Sequence, residues 1–128
     1  MNPEVGKLIE DAEDLLNKAI EEVDVNIRDA AEKAWGATVR ATDALILNRR
    51  GFVPTGPTAM PDRRRALHEI YGKEPLIRER KILDRFYTRE WMLHGSCFYE
   101  GVCEPVDEVK RRIVETRDYI EDVKKLTH

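Results

Sequence analysis

Apolar residues recur with helical spacing along most of the chain, and no segment alternates as a half-buried strand would. In the first predicted helix they fall three and four residues apart, at Val5, Leu8, Ile9, Ala12, Leu15, Leu16, Ala19, Ile20 and Val23. Asn2 is a suitable capping residue, and Pro3 suits the first helical position. We expect this helix to end near Glu22.

A second helix is expected after a cap at Asp24 or Asn26, running to about Asn48 and ending at Gly51. Its inner stripe consists mostly of small residues: Ile27, Ala31, Ala34, Thr38, Ala41 and Leu45. Because small side chains let helix backbones come close, we expect a neighbouring helix to pack tightly on this stripe.

The rest of the chain also has a helical pattern. Residues 51–61 contain two glycines and three prolines and predict a loop. A short helix is expected over Pro61–Tyr71, a long one over Pro75–Tyr99 and a last one over Val106–Leu126. The sequence therefore predicts a single all-α domain over residues 1–128, an up-and-down bundle of four long helices and one short helix.

Composition narrows the cellular setting. The 128 residues are 41% hydrophobic and 37% charged, without an apolar run long enough to cross a membrane and with an acidic amino-terminal stretch. We therefore expect a cytoplasmic protein without a membrane span or secretory signal. Glutamine is absent and charged residues abound, a composition typical of thermophile proteins.

The two cysteines, Cys97 and Cys103, have a spacing that fits no common zinc site. We expect two reduced thiols, with a local disulfide as the alternative for a hyperthermophilic source. The sequence gives no reason to expect a metal or another cofactor.

Charge is unevenly distributed. Residues 49–85 hold ten basic and five acidic residues, for a net charge of +5, whereas the whole chain carries −3 and the remainder therefore −8. Arg63, Arg64 and Arg65 place positive charge at a predicted helix start, where it opposes the helix dipole. These arginines should have an anionic partner, either from acidic helices of the same fold or from bound RNA or nucleotide.

The predicted helix over residues 75–99 has an unusually wide apolar arc that covers about half its circumference. A second copy of the chain is the simplest structure to cover the excess, so we expect a homodimer. Glu90 and His94 lie within the arc, four residues apart, and Arg89 lies at its edge. Such a polar group is either a self-satisfied pair in the core or part of a site.

The stretches "LHGSCFYEG" (Leu93–Gly101) and "RDAAEKAWGATVRATDAL" (Arg28–Leu45), with an Arg-x4-His motif at Arg89 and His94, resemble an archaeal paralogous-repeat branch of the HEPN superfamily. The resemblance implies a four- or five-helix bundle that dimerises through its motif helices. Many such proteins are metal-independent ribonucleases, and some work with a minimal nucleotidyltransferase partner. In that case His94 would transfer protons and Arg89 would bind the phosphate.

Two functions follow from the resemblance. Glu90 stands where catalytic members usually carry a small polar residue, so it either orients His94 or neutralises Arg89. The first hypothesis is a HEPN-like homodimeric module, of an archaeal toxin–antitoxin or defence-like system, that binds nucleic acid, a nucleotide or a protein; the alternative is an endoribonuclease. Glu90 favours the binding module.

Glu32 and Trp35 lie at the rim of the second helix's apolar arc, either as core edge or as pocket lining beneath the motif helix.

Overall fold

The structure, a computed structural model, describes residues 2–128, in which helices are joined by loops without a strand. Seven α-helices and one π-helical segment follow in order: α1 (Pro3–Glu22), α2 (Ile27–Arg50), α3 (Ala59–Lys73), α4 (Pro75–Glu79), α5 (Ile82–Arg89), the π-helical segment (Glu90–Tyr99), α6 (Val106–Val114) and α7 (Thr116–Leu126). The all-α prediction is confirmed, whereas the count of four long helices and one short helix is not.

The first two helices begin and end where local signals predict. The Asn2 side chain accepts a hydrogen bond from the Glu4 backbone N–H at 2.8 Å, and Asn26, not Asp24, caps α2 through the Asp29 N–H. Gly51 ends α2 with a φ of 78°, a left-handed conformation that glycine adopts without steric cost.

Helix α2 lies at the centre of the bundle and packs against α1, α7 and the π-helical segment. Its contact faces carry fully buried alanines: Ala30, Ala31, Ala34, Ala37, Ala41 and Ala44. The larger core side chains come from the surrounding helices, with Phe86 of α5 and Tyr119 of α7 fully buried. The Tyr119 hydroxyl lies 2.6 Å from the Thr42 Oγ1 of α2, which satisfies both buried groups.

The predicted continuous helix over residues 75–99 is wrong, because the chain breaks at Arg80–Lys81 and changes form after Arg89. Lys81 adopts a left-handed conformation (φ 54°). Asp122 of α7 accepts hydrogen bonds from both Arg80 and Arg85 at 2.7 Å, so tertiary contacts stabilise this break. Beyond Arg89, ten residues form a π-helix, a form that is rare and often found at functional sites.

Two further expectations are corrected at the carboxyl-terminal end. The predicted helix over residues 106–126 is divided at Glu115 into α6 and α7. Cys97 and Cys103 form a local disulfide, so the expectation of two reduced thiols is wrong. The chain reverses direction after Tyr99, with Gly101 at a φ of 75°, and this brings the two cysteines together.

Candidate functional site

The core of the candidate site is a hydrogen-bonded contact between α2 and the π-helical segment. His94 Nδ1 lies 2.8 and 3.2 Å from the two carboxylate oxygens of Glu32. An ionised carboxylate only accepts hydrogen bonds, so Nδ1 carries the proton that it donates to Glu32. With Nδ1 as the donor, Nε2 is the acceptor of a neutral ring, which is the arrangement of a histidine able to take a proton.

Aromatic rings fix the orientation of His94. Its ring stacks on Trp35 of α2 at a centroid distance of 5.6 Å and on Phe98 at 6.4 Å, with interplanar angles of 28° and 18°. Trp35 packs in turn against Phe86 of the core at 5.2 Å. Tyr99 meets the histidine edge-on at 5.9 Å. Glu32, Trp35 and His94, all candidates from the sequence, are thus brought together.

Glu90 has a partner that the sequence did not indicate. Its carboxylate accepts two hydrogen bonds from the Arg64 guanidinium of α3, at 3.2 and 2.6 Å. The hydrogen bond to Glu90 raises the pKa of Arg64. The carboxylate neither orients His94, which Glu32 does, nor pairs with Arg89, so both roles considered for Glu90 within one chain are wrong.

Arg89 lies inside the fold, although the sequence placed it at the rim of an apolar arc. Its residue is only 2% exposed, and its Nε donates to the Thr116 hydroxyl of α7 at 2.9 Å. Burial, with help from the nearby Arg85 charge, lowers the pKa of Arg89 to about 10. His94 contacts α2 whereas Arg89 contacts α6 and α7, so the two motif side chains do not meet in one site of a single chain.

The other two arginines of the basic stretch also have acidic partners within the chain. Arg63 forms a buried two-point ion pair with Asp43 of α2, at 2.7 and 3.1 Å. Burial raises the pKa of Asp43, against the effect of Arg63. Arg65 donates to Asp62 at 3.0 Å on the surface. An anionic partner was expected, and for these two arginines it comes from α2 and from α3 itself.

Arg28 and Tyr99 belong to the site although neither was a candidate. Arg28 donates to the backbone carbonyls of Phe98 at 2.6 Å and Tyr99 at 3.3 Å, and in the described part of the chain it has no carboxylate partner. The Tyr99 side chain is 74% exposed. These contacts join residues 70 and 71 positions apart, and no local spacing pattern indicates them.

Residues 2–128 contain no group of three or more His, Cys, Asp or Glu side chains placed to hold a metal ion. Within the same range, no helix combines the length and apolar character needed to cross a membrane. The sequence matches no protein-family model, no curated protein and no solved structure.

Proposed function

We propose that the chain is a HEPN-like homodimeric binding module that binds single-stranded nucleic acid at the end of its π-helical segment. The observation that carries the proposal is the pairing of an exposed tyrosine with an arginine that has no carboxylate partner in the described residues. The Tyr99 ring contacts His94 edge-on, and Arg28 donates hydrogen bonds to the backbone carbonyls of Phe98 and Tyr99. We call Arg28, His94 and Tyr99 the aromatic surface.

Each part of the aromatic surface suits an unpaired nucleotide. A base stacks on any exposed aromatic ring without regard to its sequence, with about 1–3 kcal/mol for each stacked base. The carbonyls that Arg28 contacts are neutral, so its positive charge remains uncompensated and attracts phosphate. Since Arg28 is the one cation of this surface, it neutralises about one phosphate, and binding should weaken modestly with added salt.

The proposed dimer uses a neighbouring position on the same segment. Trp91 is 68% exposed on the π-helical segment, so most of its ring is open to a partner. Tryptophan is also the residue type most enriched among the strong contacts of interfaces. A second copy that covers Trp91 would place two aromatic surfaces close together in the dimer.

RNA binding is tested by fluorescence anisotropy with a labelled single strand of about 12 nucleotides, within the span of common single-strand sites. We expect binding by the wild type and a loss of about tenfold in Tyr99→Ala, since one stacked base is removed. Phe52→Ala is the matched control, because Phe52 is also an exposed aromatic but lies in the α2–α3 loop. A wild type that binds no single strand would contradict the proposal.

The dimer is tested by sedimentation velocity. We expect twice the monomer mass for the wild type and a monomer for Trp91→Ser. Leu76→Ser, which alters another exposed apolar side chain on α4, should leave the dimer intact. A monomeric wild type at the concentrations of the binding assay would exclude the dimer.

The Glu32–His94 contact favours a second candidate function, the metal-independent ribonuclease. Glu32 fixes the tautomer that leaves Nε2 free to take the proton of a ribose 2′-hydroxyl. The test is RNA cleavage in excess chelator by the wild type, His94→Ala and Arg89→Ala. Cleavage that His94→Ala loses while staying folded would establish the ribonuclease, loss in Arg89→Ala also would indicate that the motif arginine takes part, and no cleavage of varied RNAs by the wild type would exclude it.

A further inference from the structure

A cavity of about 280 Å³ lies between α5, α6 and α7, and its lining includes no residue of the aromatic surface. Three guanidinium groups and two carboxylates line it: Arg85, Arg89, Arg112, Glu115 and Asp118. Its lining therefore carries one more positive than negative group. The proposed nucleic-acid site does not include this cavity.

Two of the three arginines have their own carboxylates. Arg85 donates to Asp122 at 2.7 Å, and Arg112 donates to Glu108 at 2.9 Å. Arg89 has none among the described residues. Its three hydrogen bonds go to neutral acceptors, the Thr116 hydroxyl at 2.9 Å and the carbonyls of Arg85 and Arg112 at 3.3 and 3.4 Å.

A guanidinium carries five N–H donors, so two N–H groups of Arg89 remain for a further acceptor. The residue is nevertheless buried, since only 2% of it is exposed. Buried charges in proteins are ordinarily paired, because removing a cation from water without a counter-charge is strongly unfavourable. Burial lowers the pKa of Arg89 for the same reason, and the like charges of Arg85 and Arg112 lower it further.

We propose that this cavity binds a small oxyanion, such as the phosphate group, through the free N–H groups of Arg89 together with Arg112. The planar fork of a guanidinium matches two oxygens of an oxyanion, and a charge-assisted hydrogen bond is about twice as strong as a neutral one. The volume lies just below the usual range of about 300–1,000 Å³ for drug-sized ligands.

The carboxylates of the lining restrict the ligand further. Glu115 pairs with Arg111 at 2.7 Å, so its charge is partly compensated, whereas Asp118 is exposed at the rim. A long polyanion such as an RNA strand would pass Asp118 and be repelled. A compact anion that fits wholly inside reaches the guanidinium groups without that penalty. This site is independent of the proposed nucleic-acid surface.

The test is isothermal titration calorimetry of the folded full chain with inorganic phosphate, at an ionic strength held constant with sodium chloride. The cavity variants are Arg89→Met and Arg112→Gln. Arg117→Gln is the matched control, because Arg117 follows Thr116 on α7 and bonds Asn17 at the surface outside the cavity lining. It removes the same charge as the cavity variants.

We expect saturable phosphate binding by the wild type and by Arg117→Gln, weakened about tenfold or more in both cavity variants, as loss of a charge-assisted contact implies. Equal affinity for adenosine monophosphate would indicate that the phosphate group alone is recognised, and tighter binding would identify a nucleotide as its source. No binding of either compound by the wild type would overturn the proposal. If Arg89→Met fails to fold, Arg112→Gln decides the test, because it alters a half-buried residue. Equal phosphate affinity of the wild type and Arg112→Gln would then overturn the proposal.

Discussion

Replacing Arg89 by methionine should stabilise the protein, although it deletes a residue of the motif. The difference between the ordinary pKa of 12.5 and about 10 corresponds to about 3 kcal/mol of unfavourable burial, at about 1.4 kcal/mol for each tenfold change in equilibrium constant. Methionine fills similar space with an unbranched, adaptable chain. The Thr116 hydroxyl still donates to the Arg112 carbonyl at 2.8 Å, so the substitution leaves it satisfied.

Arg89 also makes favourable interactions, and removing them reduces that gain. Its one short hydrogen bond, to Thr116, contributes about 1.5 kcal/mol for a charged donor. Its guanidinium carbon also lies 5.8 Å from the centre of the Tyr119 ring, a cation–π contact of about 0.5–1 kcal/mol. The net expectation for Arg89→Met is therefore an increase of about 1 kcal/mol in the free energy of unfolding.

The measurement is thermal and urea unfolding followed by circular dichroism in phosphate-free buffer. For a chain of this length, about 1 kcal/mol should raise Tm by about 3–5 °C. Arg85→Met is the matched control, because Arg85 also lies by Tyr119 but is paired with Asp122, and its removal should lower Tm. A fall in the unfolding free energy of Arg89→Met would refute the reasoning, since Arg89 would then hold α5 to α7 more strongly than its burial opposes it.

Four further predictions concern stability, each measured by urea unfolding. Asp43→Asn should cost about 3–5 kcal/mol, because it leaves a buried guanidinium without its counter-charge. Burial raises the pKa of Asp43, so above pH 3.8 the folded protein keeps a proton that the unfolded chain releases. The free energy of unfolding of the wild type should therefore fall as the pH rises above 3.8, whereas that of Asp43→Asn should not show this fall. Reducing the Cys97–Cys103 disulfide should lower stability by about 2 kcal/mol, an effect of dithiothreitol that the double alanine variant should not show. Gly51→Ala should cost about 1–2 kcal/mol because of its positive φ, whereas Gly72→Ala, within α3, should be neutral or stabilising.

Local signals were sufficient for the first half of the fold. Asn2 and Asn26 cap α1 and α2 through their own backbone neighbours, and Gly51 ends α2 by its own conformational freedom. Each of these effects acts over two or three residues. A sequence pattern can therefore locate them without knowledge of the rest of the molecule.

The breaks in the second half depend on distant residues. No glycine or proline marks the turn at Arg80–Lys81, and it is stabilised by Asp122, about forty residues further on. The π-helical form of residues 90–99 likewise has no local composition signal. A helical wheel drawn with α-helical spacing therefore does not describe the faces of this segment.

The candidate residues were identified better than their partners. A contact of His94 with Glu90, its neighbour at i−4, was one of the alternatives, but the carboxylate that it contacts is Glu32, 62 residues away. Glu90 pairs instead with Arg64 of α3. A single sequence shows which side chains carry chemistry, whereas the long-range pairs among them follow from helix packing.

The most direct test of the proposed function is the affinity of the protein for a labelled single-stranded RNA, with wild type, Tyr99→Ala and Phe52→Ala measured side by side. The proposed function predicts binding that weakens with salt, about tenfold weaker for Tyr99→Ala and unchanged for Phe52→Ala. Equal affinity of the wild type and Tyr99→Ala would contradict a binding site at the aromatic surface.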